Sequence, residues 1–301
     1  MKSVQRTEGK GWFVAIEVRS SGSEAFEDIL PLLERFPTPR MTREDWRWML
    51  FRNSWSDNPC HGFALYADGK AVGFIGTIFS TRRLLGRMEP ICSLSSWIVL
   101  EEHRNASLLL LKPILAMREF TIVNLTPAPV VYEIFSKLGF KPLESERLLL
   151  APVPRLGEAA RAFSGSAALS PEVLREELHG DERSIYEDLS TSPVARHLLL
   201  RHGGRKCYLV ATPVHKKGIP FAEIQYIGDR EFFWQNRLLA HAALFRSMGA
   251  VGLMVDSRFH RGPRPLFSLR WPSRRLYRPA RPEITPDLID GLYSELMGLR
   301  W

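Results

Sequence analysis

The chain has 301 residues, of which 45% are hydrophobic and 25% are charged, a composition typical of a globular protein with a large core. Its formal charge is +8 at pH 7, and no stretch approaches the ~20 apolar residues that span a bilayer, which argues against a transmembrane protein. The opening residues, MKSVQRTEGKG, lack the apolar core of a signal peptide, and the three cysteines have neither metal-site nor redox spacing. These features predict a cytoplasmic protein with free thiols and no metal site.

Part of the positive charge is concentrated in one segment near the C-terminus. Residues 258–281 contain eight arginines and neither aspartate nor glutamate. The arginines are Arg258, Arg261, Arg264, Arg270, Arg274, Arg275, Arg278 and Arg281. This pattern fits either a solvated basic loop or a patch that meets an anion, such as CoA phosphates, an acidic carrier protein, an anionic polymer or a membrane surface. We expect no nucleic-acid partner, because no helix-turn-helix, zinc-finger or RNA-binding signature is present.

Apolar periodicity and turn signals predict alternating strands and helices in the first half of the chain. The predicted elements are a strand over 11–20, a helix over 24–36, a helix capped by Thr42, a hairpin of strands 61–67 and 70–80 around Asp68-Gly69, a strand over 88–100, a helix from Arg104, a strand over 120–125, a helix over 128–138 and a strand over 141–150. Gly73 and Gly76 predict a bulge or a close backbone approach, and Pro113 predicts a kink or an end to its helix.

A proline-rich, small-residue segment over 152–170 predicts a junction, after which part of the same order repeats. The predicted elements are helices over 171–178 and 182–200, strands over 206–213 and 220–228, a helix over 232–248, a strand over 251–257 and a helix over 286–299 capped by Thr285. This repetition indicates an internal duplication with a degenerate second copy. We expect two domains, 1–153 and 154–301.

The segment from Cys92 to Leu115 combines a strand, a basic turn and the start of a helix. The first amides of a helix lack partners within the helix, and the helix dipole is positive there. A phosphate placed on these amides satisfies both conditions, so the segment predicts an anion-binding site.

Three segments resemble the GNAT superfamily of acyl-CoA N-acyltransferases. They are FALYADGKAVGFIGTIF, SSWIVLEEHRNASLLLL and VYEIFSKLGFKPL. The resemblance covers about residues 10–150 well, while 171–301 match only in element order, as in two-lobed bacterial members. It implies an α/β (α+β) fold with a GNAT-like mixed central sheet flanked by helices and a second, degenerate GNAT-like lobe. The resemblance places acyl-CoA binding in 1–153 and the acceptor side in 154–301.

The resemblance also implies roles for individual residues. The strand residues Trp97, Ile98 and Val99 would pair with the pantetheine arm and polarise the thioester carbonyl. Backbone amides of the following turn would bind the pyrophosphate, namely those of Arg104, Asn105, Ala106, Ser107 and Leu108. The family's phosphate loop reads [QR]-x-x-G-x-[GA], whereas this chain has Ser107 and Leu109 at the two small positions.

The acid and base are less clearly indicated. The family often has a tyrosine four residues before the glycine of its G-F pair, but that position is Phe135 here. Tyr132, one turn earlier, is therefore the candidate acid that protonates the leaving thiolate. Glu89, Glu44 and Asp45 are candidate bases, and each also fits a surface carboxylate.

Together these features predict an acyltransferase with acetyl-CoA or a longer acyl-CoA as co-substrate. The acyl group would pass to an amine of a small molecule, sugar or peptide by direct attack on the thioester, without a metal. One alternative is an enzyme that uses an acidic acyl carrier protein as donor, which the basic surface favours. The other is a non-catalytic GNAT-like acyl-CoA-binding module, which Phe135 and Leu109 favour.

Overall fold

The structure is a computed structural model that describes residues 15–37, 41–53, 55–143, 146–154 and 157–300. The chain divides into two compact units. The first comprises the chain as far as Thr126 together with Tyr277–Ile284 and Tyr293–Glu295, and the second comprises Pro127–Leu276, Thr285–Leu292 and the chain from Leu296. The assignment of donor binding to 1–153 and of the acceptor to 154–301 stays a prediction.

The described α-helices occur in both units. They are α1 (Phe26–Leu33), α2 (Arg43–Trp46), α3 (Leu111–Ala116), α4 (Pro129–Lys137), α5 (Glu158–Ser164), α6 (Pro171–Glu177), α7 (Gly180–Leu189) and α8 (Arg230–Met248). The predicted cap at Thr42 is confirmed, since its hydroxyl accepts from the Asp45 amide while the Asp45 carboxylate accepts from the Thr42 amide. None of the described helices is long and apolar enough to cross a membrane.

A mixed sheet forms the centre of the first unit. Its strands in this unit are β1 (Ile16–Ser21), β2 (Gly62–Ala67), β3 (Lys70–Leu84), β4 (Arg87–Val99), β5 (Thr121–Asn124) and β14 (Leu276–Arg278), in the order β1-β2-β3-β4-β5-β14. Strands β1 to β4 are antiparallel, and β4 and β5 are parallel. The predicted turn at Asp68-Gly69 is present with φ of 48° and 78°, the left-handed pair of a type I′ hairpin.

The hairpin of β3 and β4 is longer than predicted and contains a bulge. Its turn is Leu85-Gly86, with φ of 50° and 76°, so β3 continues past Ser80 to Leu84. The predicted irregularity at the glycines is confirmed by a register shift between Phe74 and Gly76. A Cβ on Gly76 would lie 2.9 Å from Leu50 Cδ2 and 3.2 Å from Ser95 O, so the backbone approach requires glycine.

The second unit contains a sheet of the same kind. Its strands are β7 (Glu146–Leu150), β8 (Ser166–Ala168), β9 (Arg196–His202), β10 (Arg205–Lys216), β11 (Ile219–Ile227), β12 (Gly252–Asp256) and β13 (Ser268–Pro272), in the order β13-β7-β12-β11-β10-β9-β8. The short strand β6 (Lys141–Pro142) precedes them. The sequence β9-β10-β11-α8-β12 has the connectivity of β2-β3-β4-α3-β5, with β11 and β12 parallel. This repetition is the predicted duplication.

The core of the second unit lies between α8 and one face of its sheet. Its buried members include Leu198, Leu209, Val255, Phe233 and Leu244. A smaller apolar cluster of Leu149, Val214 and Met254 lies elsewhere in the unit.

Three further predicted elements, all after residue 140, differ from the structure. The helix expected over 182–200 is α7 followed by strand β9, because Leu198, Leu199 and Leu200 are all buried in a strand covered on both faces. Instead of one strand over 141–150, the chain forms β6 and β7, and β7 pairs with β12 and β13. The helix expected over 286–299 is absent from the described residues, which form only short 3-10 turns at Pro286–Leu288 and Glu295–Met297.

Candidate functional site

Strand β4 extends well beyond its parallel partner β5. The described ladder between them joins Ile91, Cys92 and Ser93 to Thr121, Ile122 and Val123. β5 ends at Asn124, whereas β4 continues to Val99. The printed ladder between the two strands therefore stops at Ser93, and β4 continues six residues beyond it.

The direction of the main-chain groups over this extension of β4 follows from the pairing with β3. Leu100 N donates to Val72 O at 2.8 Å, and Ile98 is the register partner of Phe74. Because hydrogen-bonding direction alternates along a strand, Ile98 faces β3, whereas Trp97 and Val99 face the edge where β5 has ended. Just before them Ser96 has φ of 55°, which marks the bulge on this strand. An extended ligand can add to such an edge as a further strand.

The turn after β4 is a 3-10 helix over Glu101–Leu110, and α3 begins only at Leu111. The helix therefore begins earlier than the predicted Arg104 and with a different geometry. Runs of 3-10 helix longer than about four residues are uncommon. Pro113 gives a reason for this one, because proline is tolerated in the first turn of α3 but an α-helix extended backwards would lose its amide bond.

The predicted phosphate residues all lie inside this 3-10 helix. Arg104 is exposed, with Nη1 3.6 Å from Oε1 of Glu101. Asn105 and Leu108 are also exposed, Ser107 is half-buried and Ala106 is buried. No side chain caps the first turn. In regular 3-10 geometry the amides from Arg104 onward bond to carbonyls three residues earlier, so the unused amides lie nearer Glu101 and Glu102. The phosphate role of residues 104–108 stays a prediction.

A buried carboxyl group lies where the β4–β5 ladder ends. Glu295 is 0% exposed, and its Oε2 accepts from Ser93 Oγ at 2.8 Å while its Oε1 accepts from Thr126 Oγ1 at 2.8 Å. Ser93 ends the β4–β5 ladder, and Thr126 follows β5. Burial raises the pKa of Glu295 above its ordinary value, although the two hydroxyls act in the opposite direction. A carboxyl group with a raised pKa at the end of an open strand edge is a candidate for proton transfer.

Sequence reasoning missed Glu295, because it was assigned to the interior of a C-terminal helix. Nothing local in the sequence marks it as a buried acid. The structure gives the three predicted base candidates other surroundings. Glu89 is buried and bonds Arg281, Asp45 is part of the α2 capping box, and Glu44 is exposed.

Tyr132, the predicted acid, lies on α4 in the second unit and is half-buried. Its carbonyl accepts from Ser136 Oγ at 2.8 Å. Phe135, at the family's tyrosine position, is fully buried and packs edge-on against Phe140 with ring centroids 4.8 Å apart. Phe135 is therefore a core residue, and the acid role of Tyr132 stays a prediction. Cys92 is also fully buried, and burial raises the pKa of its thiol, which disfavours an acyl-enzyme at this cysteine.

In the second unit the corresponding strand edge has a partner from the chain itself. The β11–β12 ladder ends at Ile224, and Gly291 N then donates to Gln225 O at 3.4 Å. The following helix α8 is capped by Asp229, whose carboxylate accepts from Phe232 N at 2.9 Å. This amide lowers the pKa of Asp229, so a negative charge already occupies the helix start. The second unit thus lacks the open, uncapped arrangement of the first.

The basic segment over 258–281 is not a free loop. Arg275 is buried and lies 3.0 Å from Glu223, and Arg258 is half-buried and lies 2.8 Å from Asp256. Arg278 donates to three carbonyls at the end of α3 and just after it, and Arg281 pairs with Glu89. The described residues contain no cluster of three or more His, Cys, Asp or Glu side chains placed to hold a metal.

No protein-family model matches the sequence, and no curated protein matches it. Solved structures do match its fold. A GCN5-related N-acetyltransferase from Anabaena variabilis has a TM-score of 0.59 at 12% identity, covering 88% of this chain and 73% of its own. One from Kribbella flavida has a TM-score of 0.56 at 14% identity, covering 87% and 70%. A tandem GNAT protein from the clavulanic acid biosynthesis pathway has a TM-score of 0.52 at 13% identity, covering 89% and 100%.

The chain has a two-lobed GNAT fold. The predicted fold class is thereby confirmed, including the mixed sheets and the second GNAT-like lobe. At these identities the likeness is one of fold, so the chemistry has to be argued from the residues of this chain.

Proposed function

We propose that this GNAT-fold protein is an N-acyltransferase that moves an acetyl or longer acyl group from acyl-CoA to an amine of a small molecule, sugar or peptide. The observation that supports this most is the edge of β4 beyond Ser93, which continues past the β4–β5 ladder and leads into a turn without a side-chain cap. An extended chain with a diphosphate at one end suits this combination, because the strand edge offers main-chain pairing and the turn offers free amides.

In the proposed complex the pantetheine arm lies along Trp97, Ile98 and Val99, and one of its amides pairs with the main chain of Val99. Ile98 supports this edge through its own pairing with β3. The thioester carbonyl accepts an N–H from the same edge, which stabilises the oxyanion as the amine attacks. The diphosphate binds beside the 3-10 helix, where Arg104, Asn105 and Ser107 offer side-chain donors.

The reaction is a direct displacement at the thioester. The neutral amine attacks the carbonyl carbon, the C–S bond breaks, the amine nitrogen loses a proton and the thiolate gains one. Glu295 is the proposed base, because its carboxyl lies where the β4–β5 ladder ends and hydrogen-bonds Ser93 and Thr126. Tyr132 is the proposed acid. A cytoplasmic location stays a prediction.

A carrier-protein donor is the second candidate. Arg261, Arg264, Arg270 and Arg274 are exposed, and an acidic carrier protein is steered by such a surface. Transfer from a carrier-bound acyl group that is suppressed by salt and absent with acyl-CoA would select this donor. The third interpretation, a non-catalytic acyl-CoA-binding module, is favoured by the buried Phe135 at the tyrosine position.

Isothermal titration with acetyl-CoA and longer acyl-CoAs tests the proposal. We expect binding, followed by release of free thiol when an amine panel is added. Absence of binding to every acyl-CoA at millimolar concentration would refute it, and binding without turnover on any amine would leave the non-catalytic interpretation.

Two variants then test the proposed proton-transfer groups. Glu295→Gln should lower kcat by about 10²–10⁴ while acyl-CoA binding persists. Tyr132→Phe should lower kcat, with Ser136→Ala on the same helix as control. An unchanged kcat in either variant would remove that residue from the mechanism.

A further inference from the structure

Three large apolar side chains are exposed together in the second unit. Leu266, Phe267 and Leu269 are 63%, 69% and 67% exposed. Single exposed apolar residues are ordinary, whereas a contiguous group marks an interaction site. Phe267 has φ of 56°, a left-handed conformation that a bulky residue seldom adopts. The backbone is therefore held in an unfavourable turn at the point where these side chains face solvent.

Positive charge flanks this apolar group on both sides in sequence. Arg261 and Arg264 precede it and Arg270 and Arg274 follow it, all exposed. Residues 258–281 contain no acidic residue, and within the described part of the chain Arg270 pairs with Glu146 at 3.2 Å. We call residues 261–274 the apolar–basic surface.

The turn between β10 and β11 extends this surface. Lys216 Nζ lies 5.7 Å from the ring centroid of Trp271, the half-buried residue of β13. Lys217 and Ile219 follow in the same turn and are exposed. β13 is the last strand of its sheet, so the surface lies at a sheet edge rather than above a packed layer.

We propose that the apolar–basic surface docks the protein on an anionic lipid membrane. Phe and Leu side chains insert at the boundary between headgroups and acyl chains, while Arg and Lys beside them bind the lipid phosphates. A second copy of the chain is disfavoured as the occupant, because the same surface would oppose arginines to arginines. An acidic protein would complement the positive charge of this surface. Unlike a bilayer, it offers no hydrocarbon layer into which the exposed apolar side chains can insert.

This docking goes beyond the proposed acyl transfer and does not depend on it. Docking would hold the protein at the membrane surface, so that it acts there without crossing the bilayer. Acceptors or long-chain acyl donors held at that surface would then be its nearest substrates.

Co-sedimentation of the full chain with vesicles tests the proposal. We expect binding to phosphatidylcholine vesicles that contain phosphatidylglycerol and none to phosphatidylcholine alone. Binding should weaken strongly in about 1 M salt, where the Debye length is ~3 Å. Equal binding to both vesicle types, or none to either, overturns the proposal.

Variants separate the two contributions. Phe267→Ser and Leu269→Ser should each weaken vesicle binding by about tenfold, and Arg261→Gln or Arg274→Gln by about fivefold. The matched control is Phe163→Ser, which removes an aromatic side chain that is 91% exposed on α5 and should leave binding unchanged.

Thermal melting confirms that each variant is folded, and the arginine variants keep the test informative if an apolar one is not. Equal loss in the Phe163 variant would show non-specific adsorption and overturn the proposal. Loss of binding to an acidic carrier protein in the same variants, without vesicle binding by the wild type, would replace the membrane with a protein partner.

Discussion

Ser93 donates a 2.8 Å hydrogen bond to Oε2 of Glu295, although 202 residues separate the two in the sequence. The other carboxyl oxygen accepts from Thr126, so one fully buried side chain joins the end of the β4–β5 ladder to the second residue after β5. The two hydroxyl donors favour the charged form of this carboxyl, whereas burial favours the neutral form and is the larger effect. This arrangement gives the protein a pH-dependent contact at the point where the proposed donor edge begins.

The first prediction concerns the pH dependence of stability at Glu295. The folded-state pKa is raised above the ordinary value of 4.5, so its contribution is fully present below the unfolded pKa and is lost as pH rises through the raised folded value. Glu295→Gln removes this titration while keeping an acceptor for a hydroxyl. We expect the variant to gain stability relative to the wild type from about pH 4 upward.

Urea denaturation across this pH range measures the difference between the two proteins. Glu295→Ala serves as the contrasting variant, because it leaves the hydroxyls of Ser93 and Thr126 without their acceptor and should cost about 3 kcal/mol. Parallel stability curves for wild type and Glu295→Gln would show that the carboxyl does not titrate as argued.

The second prediction tests the open edge of β4. Val99→Pro removes an N–H that faces away from β3, while the bond from Leu100 N to Val72 O on the other edge stays in place. Loss of one main-chain donor to the pantetheine arm should raise the acyl-CoA Kd by about three- to tenfold. Val99→Ala shortens the same side chain and keeps the amide, so calorimetric titration of the two variants isolates the hydrogen bond. Equal affinities would contradict main-chain pairing at this position.

Features that depend on neighbours in sequence were predictable. The Thr42 and Asp45 pair is a capping box because both bonds span three residues, and Asp68-Gly69 closes a hairpin because both residues tolerate positive φ. The turn at Leu85-Gly86 was missed, since leucine rarely takes the φ of 50° that it has there.

Features that depend on long-range pairing were not predictable from periodicity. Strand β7 follows α4 in the sequence but pairs with β12, where Arg147 meets Asp256, 109 residues later. Glu295 belongs to the same class, because a lone glutamate among apolar residues gives no local sign of burial. The open edge of β4 was inferred through the GNAT resemblance, and the bulge at Ser96 was visible only as two glycines on the opposite strand.

The third prediction concerns the charge at the start of the 3-10 helix. Arg104 lies 3.6 Å from Glu101, and both side chains are exposed. An exposed pair is weak, so Glu101→Gln should free the guanidinium and tighten acyl-CoA binding by about two- to fivefold, while Arg104→Gln weakens it. Glu102→Gln removes the same charge one residue away and leaves the Arg104–Glu101 pair intact. Titrations at low and high salt distinguish pairing from general repulsion, and identical gains in both glutamate variants would exclude a specific role for Arg104.

The fourth prediction concerns the buried charges that hold β7 in the second sheet. Arg147 is 3% exposed and donates from Nε to Glu223 and from Nη1 to Asp256, each at 2.6 Å. Burial alone would raise the pKa of Asp256, but the charges of Arg147 and Arg258 outweigh it and hold that pKa below its ordinary value. Arg147→Met leaves the two carboxylates short of a buried partner and should cost about 3–5 kcal/mol in urea denaturation.

A matched surface pair lies on the neighbouring strand. Arg270 on β13 lies 3.2 Å from Glu146, and both side chains are exposed. Arg270→Gln should therefore change stability by less than about 1 kcal/mol. Similar losses of unfolding free energy in the Arg147 and Arg270 variants would mean that burial does not make the Arg147 pairs more stabilising than a surface pair.

The fifth prediction is that each chain binds one acyl-CoA, in the first unit only. The second unit repeats the strand–helix connectivity, but Gly291 bonds the edge of β11 and Asp229 caps α8 with its own carboxylate. A diphosphate would meet that negative charge instead of free amides. Calorimetry should give a single site per chain, and Asp229→Ala should lower stability by about 1 kcal/mol through the lost cap without creating a second site, because the bond from Gly291 to β11 remains. Two sites in the wild type, or a second site in the Asp229 variant, would show that the second lobe has kept a donor site.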